Sequence, residues 1–196
     1  MELIVFEGNR GMGKTLGMVL YAKRIQAYTG CNLFANFPVR GAEGFYSFED
    51  FKKVSICKNS IVLLDECHND LDSRDYSTSS VKYFSHMIFY LRKLGCVMFL
   101  TTPLFSAITS RVRDVTNIVC RCSKTYDYFV YDFWDNDQGV FLKRRKVLKD
   151  KAFMLCKNVY NTKSLVNPLE YPSSKQEFLQ ILSEIKRENE HAQAQA

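Results

Sequence analysis

The sequence predicts an α/β fold: a mostly parallel central sheet flanked by helices, followed by a C-terminal β-hairpin and a terminal helix. Throughout residues 1–125, short apolar runs typical of buried strands alternate with segments whose apolar residues have helical spacing. This alternation favours parallel strands, because a crossover between parallel strands is long enough to hold a helix. Beyond residue 125, an aromatic run and an apolar-basic run flank a glycine-containing turn, which indicates an antiparallel hairpin.

The order of the elements follows from the apolar runs and from the residues that stop them. The predicted strands span residues 3–6, 32–37, 60–65, 96–100 and 117–122. The predicted helices span residues 16–26, 81–94, 105–113 and 174–189. A short helix or turn is predicted at residues 48–52. Glycine commonly ends a helix, and we expect Gly30 and Gly95 to end the first and second of these long helices. The hairpin strands are predicted at 126–134 and 140–143, and residues 158–172 are predicted to be irregular.

Length and composition indicate one ordinary globular domain over residues 1–196, with a hydrophobic fraction of 46% and a charged fraction of 24%. We divide it into a core at 1–125, a hairpin with a basic segment at 126–157, and a C-terminal extension with a helix at 158–196. The seven cysteines form no C-x-x-C pair, so they indicate neither a disulfide framework nor a zinc site and favour a reducing cytosol. We see no secretory signal and no membrane-spanning apolar stretch, and therefore expect a soluble protein.

A phosphate-binding loop is predicted at residues 8–15, which match the pattern G-x-x-x-x-G-K-[ST] between the first strand and the first helix. Such a loop surrounds a polyphosphate with backbone N–H groups and with the positive end of the helix dipole. Its lysine adds a point charge for the β- and γ-phosphates, and the hydroxyl that follows can coordinate Mg²⁺. The predicted nucleotide-binding residues are Gly8, Asn9, Arg10, Gly11, Met12, Gly13, Lys14 and Thr15.

Asp65 and Glu66 follow a nearly all-apolar strand, which we expect to lie adjacent to the first strand. An aspartate at this strand end can hold Mg²⁺ together with Thr15, and a glutamate beside it can activate water for attack on the γ-phosphate. The pair therefore favours NTP hydrolysis over phosphoryl transfer to another substrate, with Lys14 and Glu66 as catalytic residues.

Further catalytic groups are expected at a second strand end and among the arginines. Thr101 and Thr102 end the strand at 96–100, where a hydroxyl can sense the γ-phosphate or orient water; threonines also end strands without any such role, and Thr101 is the better candidate. Hydrolysis also needs a cation to neutralise the developing charge, often an arginine from a neighbouring subunit. The candidates are Arg74, Arg92, Arg111 and Arg113, each of which could instead be an ordinary surface arginine.

The positive charge of the chain, +6 overall, clusters after the hairpin turn at residues 143–146, with Lys149 and Lys151 following. Such a run can contact nucleic-acid phosphates or can form a solvated strand. The aromatic residues of the hairpin favour strand packing ahead of base stacking. Residues 143–151 are therefore a candidate DNA-binding segment.

Several features of residues 1–125 together form a recognisable set. They are the phosphate loop, Leu-Leu-Asp-Glu-Cys-His at 63–68, Asp-Ser-Arg at 72–74, Leu-Arg-Lys at 91–93, the strand at 98–102 and the segment 108–113 with its Arg-Val-Arg. With these features the chain resembles the small ATPases of the FtsK–HerA superfamily. Within it, the chain is similar to genome-packaging ATPases of membrane-containing viruses and to the N-terminal domain of the zonular-occludens-toxin-like assembly proteins of filamentous phages.

The resemblance implies a RecA-like (ASCE) P-loop NTPase fold, ATP with Mg²⁺, a homo-oligomeric ring, and translocation of DNA or export of a nucleoprotein through a pore. The implied partners are double-stranded DNA and capsid or membrane-associated viral proteins, in the host cytoplasm or on the virion. Two features depart from the pattern: many relatives have Gln where this chain has Thr101-Thr102, and the membrane span that usually follows the domain in the filamentous-phage proteins is missing. The second departure favours genome packaging.

Three other functions stay open. The first is a morphogenesis motor that handles proteins at a membrane, as in the filamentous-phage group. The second is a nucleotide or small-molecule kinase, which the Asp65-Glu66 pair and the lack of an arginine-rich lid between two helices disfavour. The third is a regulatory NTP-binding switch with little turnover.

Overall fold

An eight-stranded sheet forms the centre of the computed structural model, which describes residues 3–67, 79–161 and 165–194. The order across the sheet is β3-β2-β4-β5-β1-β6-β7-β8, and β1 to β6 pair in parallel whereas β7 is antiparallel to both neighbours. The strands are β1 (Leu3–Glu7), β2 (Asn32–Ala35), β3 (Glu43–Gly44), β4 (Ser60–Leu64), β5 (Cys96–Thr102), β6 (Ile118–Lys124), β7 (Tyr128–Asp135) and β8 (Phe141–Leu148).

Six helices connect or flank the strands in the described part of the chain. They are α1 (Lys14–Thr29), α2 (Phe51–Ser55), α3 (Ser79–Leu91), α4 (Ser110–Arg113), α5 (Lys149–Cys156) and α6 (Lys175–Ala194). α1 ends at Gly30, which has a φ of 67° and donates its N–H to the Gln26 carbonyl at 2.8 Å, as predicted for a glycine stop. None of these helices combines the length and apolar composition that crossing a bilayer requires.

Two apolar layers cover the sheet, one on each face. Alternate residues of a strand point to opposite faces, so Leu3 and Val5 pack with α2, α3 and α6, whereas Ile4 and Phe6 pack with α1 and α5. A parallel strand buried on both faces is apolar at nearly every position, which explains the continuous apolar runs of the sequence. The predicted α/β fold with a mostly parallel sheet, a β-hairpin and a terminal helix is confirmed.

The position of β4 differs from the prediction. We expected this strand to be adjacent to β1, but β5 lies between them: Leu100 of β5 pairs with Val5 on one side and with Leu64 on the other. The chain that leaves β4 returns through α3 to the space next to β1, a choice that periodicity alone does not determine. The adjacency was therefore wrong, and the end of β5 separates the two phosphate motifs.

The segments around the hairpin also differ in detail. The region predicted as one helix at 105–113 contains the 3₁₀ turn Phe105–Ala107 followed by α4, and the basic segment continues from β8 into α5, a helix that the sequence did not predict. In β7, Phe129 and Tyr131 pack closely against α1, because a Cβ at Gly17 would lie 2.3 Å from the Tyr131 ring. These aromatic side chains thus pack in the core, in agreement with the preferred interpretation.

Candidate active site

The phosphate loop runs from the carboxyl end of β1 to the first residue of α1, and close neighbours surround its glycines. Gly8 has a φ of 149°, and a Cβ there would lie 2.5 Å from the Cys122 carbonyl oxygen. Gly13 has a φ of 81°, and a Cβ there would lie 2.6 Å from the Phe129 ring. Backbone conformation and lack of space both exclude a side chain at these two positions, so the loop backbone stays accessible to an anion.

The amino end of α1 provides an anion site. Gly13 is the N-cap, and no side chain caps the helix there, so the N–H groups of the first turn are available to a ligand. The Lys14 ammonium lies across the loop and donates to the Asn9 carbonyl at 3.4 Å. A second cation, Lys124 at the end of β6, lies 3.7 Å from the position of a Cβ on Gly11. Lys124 was not predicted from the sequence, because only the pairing of β6 with β1 brings it to the loop.

Thr15 and Asp65 form an oxygen-rich pair beside the loop. The Thr15 hydroxyl lies 3.0 Å from each Asp65 carboxylate oxygen, and the Thr101 hydroxyl donates to the Oδ1 atom of the same carboxylate at 2.5 Å. Burial raises the pKa of Asp65, whereas the hydrogen bonds from Thr101 and Thr15 lower it; the net direction is upward. Mg²⁺ is typically held by one or two protein oxygen ligands plus substrate phosphates, and Thr15 with Asp65 fits this pattern.

Glu66 follows Asp65 in an unusual backbone conformation. Its φ is 56°, a left-handed conformation that costs a non-glycine residue about 1 kcal/mol or more. Its N–H donates to the Thr101 hydroxyl at 2.9 Å, and its side chain is exposed at the loop edge of the sheet. The single hydroxyl of Thr101 thus contacts both Asp65 and Glu66 and holds them in a fixed relation. Thr102 is different: its hydroxyl donates to the Leu104 carbonyl at 3.1 Å.

Asn36, just beyond β2, is a residue of the site that the sequence analysis missed. It is 3% exposed, and its side chain makes hydrogen bonds of 2.8 and 3.1 Å with the backbone N–H and carbonyl of Asp65. It also donates to the Asn167 carbonyl at 3.2 Å, and Asn167 N–H donates back to the Asn36 carbonyl at 2.9 Å. An asparagine after an apolar strand is ordinary, so no local pattern could have identified it.

Two of the candidate arginines, Arg92 and Arg113, lie apart from this cluster. The Arg92 carbonyl accepts from Gly95, which precedes β5, and Arg113 precedes Asn117, whose N–H donates to the carbonyl of Leu3 at the start of β1. Arg92 and Arg113 therefore lie toward the amino edge of the sheet, opposite the phosphate loop of the same chain. Arg111 is exposed on α4. Arg74 lies outside the described residues, and any action of these arginines on a neighbouring subunit stays a prediction.

The predicted DNA-binding segment comprises the exposed edge strand β8 and the start of α5. Arg144 is not a free cation, because its guanidinium makes two hydrogen bonds of 2.7 Å to the carboxylate of Asp132 on β7, and this contact lowers the pKa of Asp132. The Lys149 ammonium donates to the Tyr126 carbonyl at 2.7 Å. Lys143, Arg145, Lys146 and Lys151 are further exposed cations of this segment.

Comparison with known proteins identifies both a family and similar folds. The family model described as zonular occludens toxin (Zot) matches residues 41–139. No curated protein matches the chain by sequence.

Three solved structures with the fold are informative. The genome packaging NTPase B204 from Sulfolobus turreted icosahedral virus 2, in complex with ATP-gammaS, has a TM-score of 0.58 and 10% identity over 75% of this chain and 98% of its own. The N-terminal domain of zonular occludens toxin from Neisseria meningitidis has a TM-score of 0.54 and 16% identity over 82% of this chain and 98% of its own. B204, the DNA-packaging ATPase from Sulfolobus turreted icosahedral virus, has a TM-score of 0.57 and 12% identity over 75% of this chain and 98% of its own. At these identities the comparison shows a shared P-loop NTPase fold.

Proposed function

The chain belongs to the zonular occludens toxin (Zot) family, and on that premise we propose that it is an ATP-hydrolysing motor of viral assembly. The observation that carries the ATPase is the contact of Thr15 and Thr101 with the Asp65 carboxylate, with Glu66 as the next residue. This arrangement brings the groups for a metal ion and for water activation to one edge of the phosphate loop. That combination suits hydrolysis of a nucleoside triphosphate, whereas a kinase does not need the adjacent carboxylate pair.

In this mechanism the loop N–H groups and Lys14 bind the phosphates. Thr15 and Asp65 would hold Mg²⁺, which would supply positive charge to offset the negative charge of the phosphates. Glu66 accepts a proton from the attacking water, and Thr101 keeps the Glu66 backbone in place. An arginine from a neighbouring subunit of a homo-oligomeric ring supplies the remaining positive charge.

The substitution Glu66→Gln tests the hydrolysis step. The amide cannot accept the proton, so we expect ATP binding to be retained and turnover to fall by about 10²-fold or more. Glu190→Gln, at an exposed position of α6, is the matched control and should leave turnover unchanged. Full turnover in Glu66→Gln would reject the assigned base, and a phosphorylated small molecule in place of free phosphate would identify a kinase.

We propose that the motor acts on DNA during assembly or export of a virus particle, as in the filamentous-phage group. Family membership is the observation that favours this role. Genome packaging is the second candidate, because the fold is similar to that of the packaging NTPase B204. The resemblance to the FtsK–HerA superfamily also favours translocation of DNA. A gene that encodes an apolar span beyond residue 196 would support the assembly role.

The DNA contact is assigned to Lys146 and Lys151 on the exposed β8–α5 surface. Replacement of both by Glu should abolish the stimulation of ATP hydrolysis by DNA and leave the unstimulated rate intact, because counterion release at the phosphates provides the binding energy. Lys82→Glu with Lys175→Glu changes the net charge equally at exposed sites elsewhere and is the control. If DNA stimulated ATP hydrolysis equally in both double variants, the proposed DNA contact on β8 and α5 would be wrong.

A further inference from the structure

A cavity of about 550 Å³ lies beside the first turn of α1. We call it the α5 cavity; it is lined by Leu16, Phe153, Met154, Cys156, Lys157, Tyr160 and Asn161. The chain from α5 to Tyr160 packs against α1 and then reaches the segment after β2, because Tyr160 bridges Val39. Apart from Leu16, the lining thus comes from α5 and from the residues that directly follow it.

The α5 cavity adjoins the phosphate loop. Leu16 directly follows Thr15, so it belongs to the helical turn whose N–H groups are available to phosphate. Phe153 meets the Phe129 ring edge-on, with 5.8 Å between ring centroids, and Phe129 is the ring that a Cβ on Gly13 would strike. Tyr160 lines another wall of the cavity, and burial raises the pKa of its hydroxyl. The cavity therefore adjoins the first turn of α1 and the Phe129 ring beside the loop.

The walls of the α5 cavity include apolar groups that the described residues leave uncovered. Phe153 is 54% exposed and Met154 is 78% exposed, although both precede the buried Cys156 on the same short helix. Apolar area left in water forgoes about 25 cal/mol per Å² of stabilisation, so a ligand that covered this ring and thioether would be stabilised by their burial. Small-molecule sites of this size commonly combine apolar walls with a few polar groups.

We propose that the α5 cavity binds the nucleoside of the triphosphate, with a purine ring stacked on Phe153 and flanked by Met154 and Leu16. This inference rests on the proposed ATPase function. The phosphates occupy the loop, and the nucleoside extends from the α-phosphate along the first turn of α1 into the cavity. Stacking depends on ring area, so purine nucleotides bind more tightly than pyrimidine nucleotides, and Phe153 contributes to KM and not to the chemical step.

The substitution Phe153→Ala, with ATP and inorganic tripolyphosphate as probes, tests the inference. Loss of one stacking contact should raise the KM for ATP about tenfold with kcat unchanged, and should leave the affinity for tripolyphosphate unchanged because that anion has no base. Phe153→Tyr keeps a ring and should restore the KM. Phe89→Ala removes a similarly exposed ring from α3 and should change neither ligand's affinity.

Each result distinguishes the inference from the function on which it rests. An unchanged KM for ATP in Phe153→Ala overturns the nucleoside site, since the base then binds elsewhere. Equal weakening of ATP and tripolyphosphate also overturns it, because that pattern reports damage to the phosphate loop. Wild-type protein that binds neither probe overturns the proposed ATPase itself. A selective loss for ATP that Phe153→Tyr restores supports the nucleoside site.

Discussion

The side-chain amide of Asn36 brackets the backbone of Asp65, accepting from its N–H at 2.8 Å and donating to its carbonyl at 3.1 Å. Two hydrogen bonds from one side chain to one residue set the direction in which the Asp65 carboxylate leaves β4. The same amide group donates to the Asn167 carbonyl, so the bracket also joins β2 and β4 to the C-terminal segment. Asn36 is thus a positioning residue for the carboxylate of Asp65, the proposed metal ligand.

Replacement of Asn36 by leucine removes the bracket and keeps the branched arrangement of side-chain heavy atoms. The buried N–H and carbonyl of Asp65 lose their partners, at a cost of about 1–3 kcal/mol each, so we expect the free energy of unfolding to fall by roughly 2–6 kcal/mol. Denaturant titration measures this change, and the residual folded protein should also hydrolyse ATP more slowly. Asn32→Leu, at the exposed start of the same strand, should cost about 0.5 kcal/mol or less. Equal losses in the two variants would contradict the bracket.

Thr101 and Thr102 are distinguished by their hydrogen bonds. Thr101→Val removes the hydroxyl that contacts both Asp65 and the Glu66 N–H, so we expect kcat to fall by about 10- to 100-fold with little change in ATP affinity. Thr101→Ser keeps the hydroxyl and should recover most of the rate. Thr102→Val breaks only the bond to the Leu104 carbonyl and should cost about 1 kcal/mol of stability with kcat retained. If Thr102→Val lowered kcat more than Thr101→Val, the assignment of the catalytic contact to Thr101 would be wrong.

The proposed role of Thr15 and Asp65 as metal ligands predicts that ATP hydrolysis depends on a divalent cation. Chelation of divalent cations should abolish ATP hydrolysis, and the substitution Asp65→Asn should raise the Mg²⁺ concentration needed for half-maximal rate by at least about tenfold. The assay is a Mg²⁺ titration at saturating ATP. Asp150→Asn, at the start of α5, serves as control and should leave the titration unchanged. An unchanged midpoint in Asp65→Asn would place the metal elsewhere.

Gly17 lies where the hairpin strand β7 packs on α1, so a substitution there tests this packing. In an exposed helix Gly→Ala stabilises by about 1 kcal/mol, but a Cβ here would lie 2.3 Å from Tyr131, so we expect Gly17→Ala to destabilise by about 1–3 kcal/mol. Ala27→Gly, at an exposed position of the same helix, measures for comparison the stability change that helix propensity alone causes. A higher melting temperature for Gly17→Ala would show that Tyr131 does not contact this helix.

Much of the fold was predictable, because the buried strands β4 and β5 are nearly continuous apolar runs and the hairpin flanks a turn with Gly139. The helix α5 was missed: it begins with Lys149 inside a basic segment and has only two buried residues, Ala152 and Cys156, too few for a recognisable helical pattern. Short elements with one shallow contact face leave little periodicity in a sequence.

The sequence by itself determined the phosphate loop, the Asp65-Glu66 pair and the alternation of strands and helices, because these depend on residues near one another in the chain. Only the tertiary structure decided which strand ends meet. β5 inserts between β4 and β1, so Thr101 joins Asp65 to Glu66, and the bracket of Asn36 depends on the pairing of β2 with β4. Strand order is set by crossovers and by burial summed over the whole sheet, and a local pattern does not contain that information.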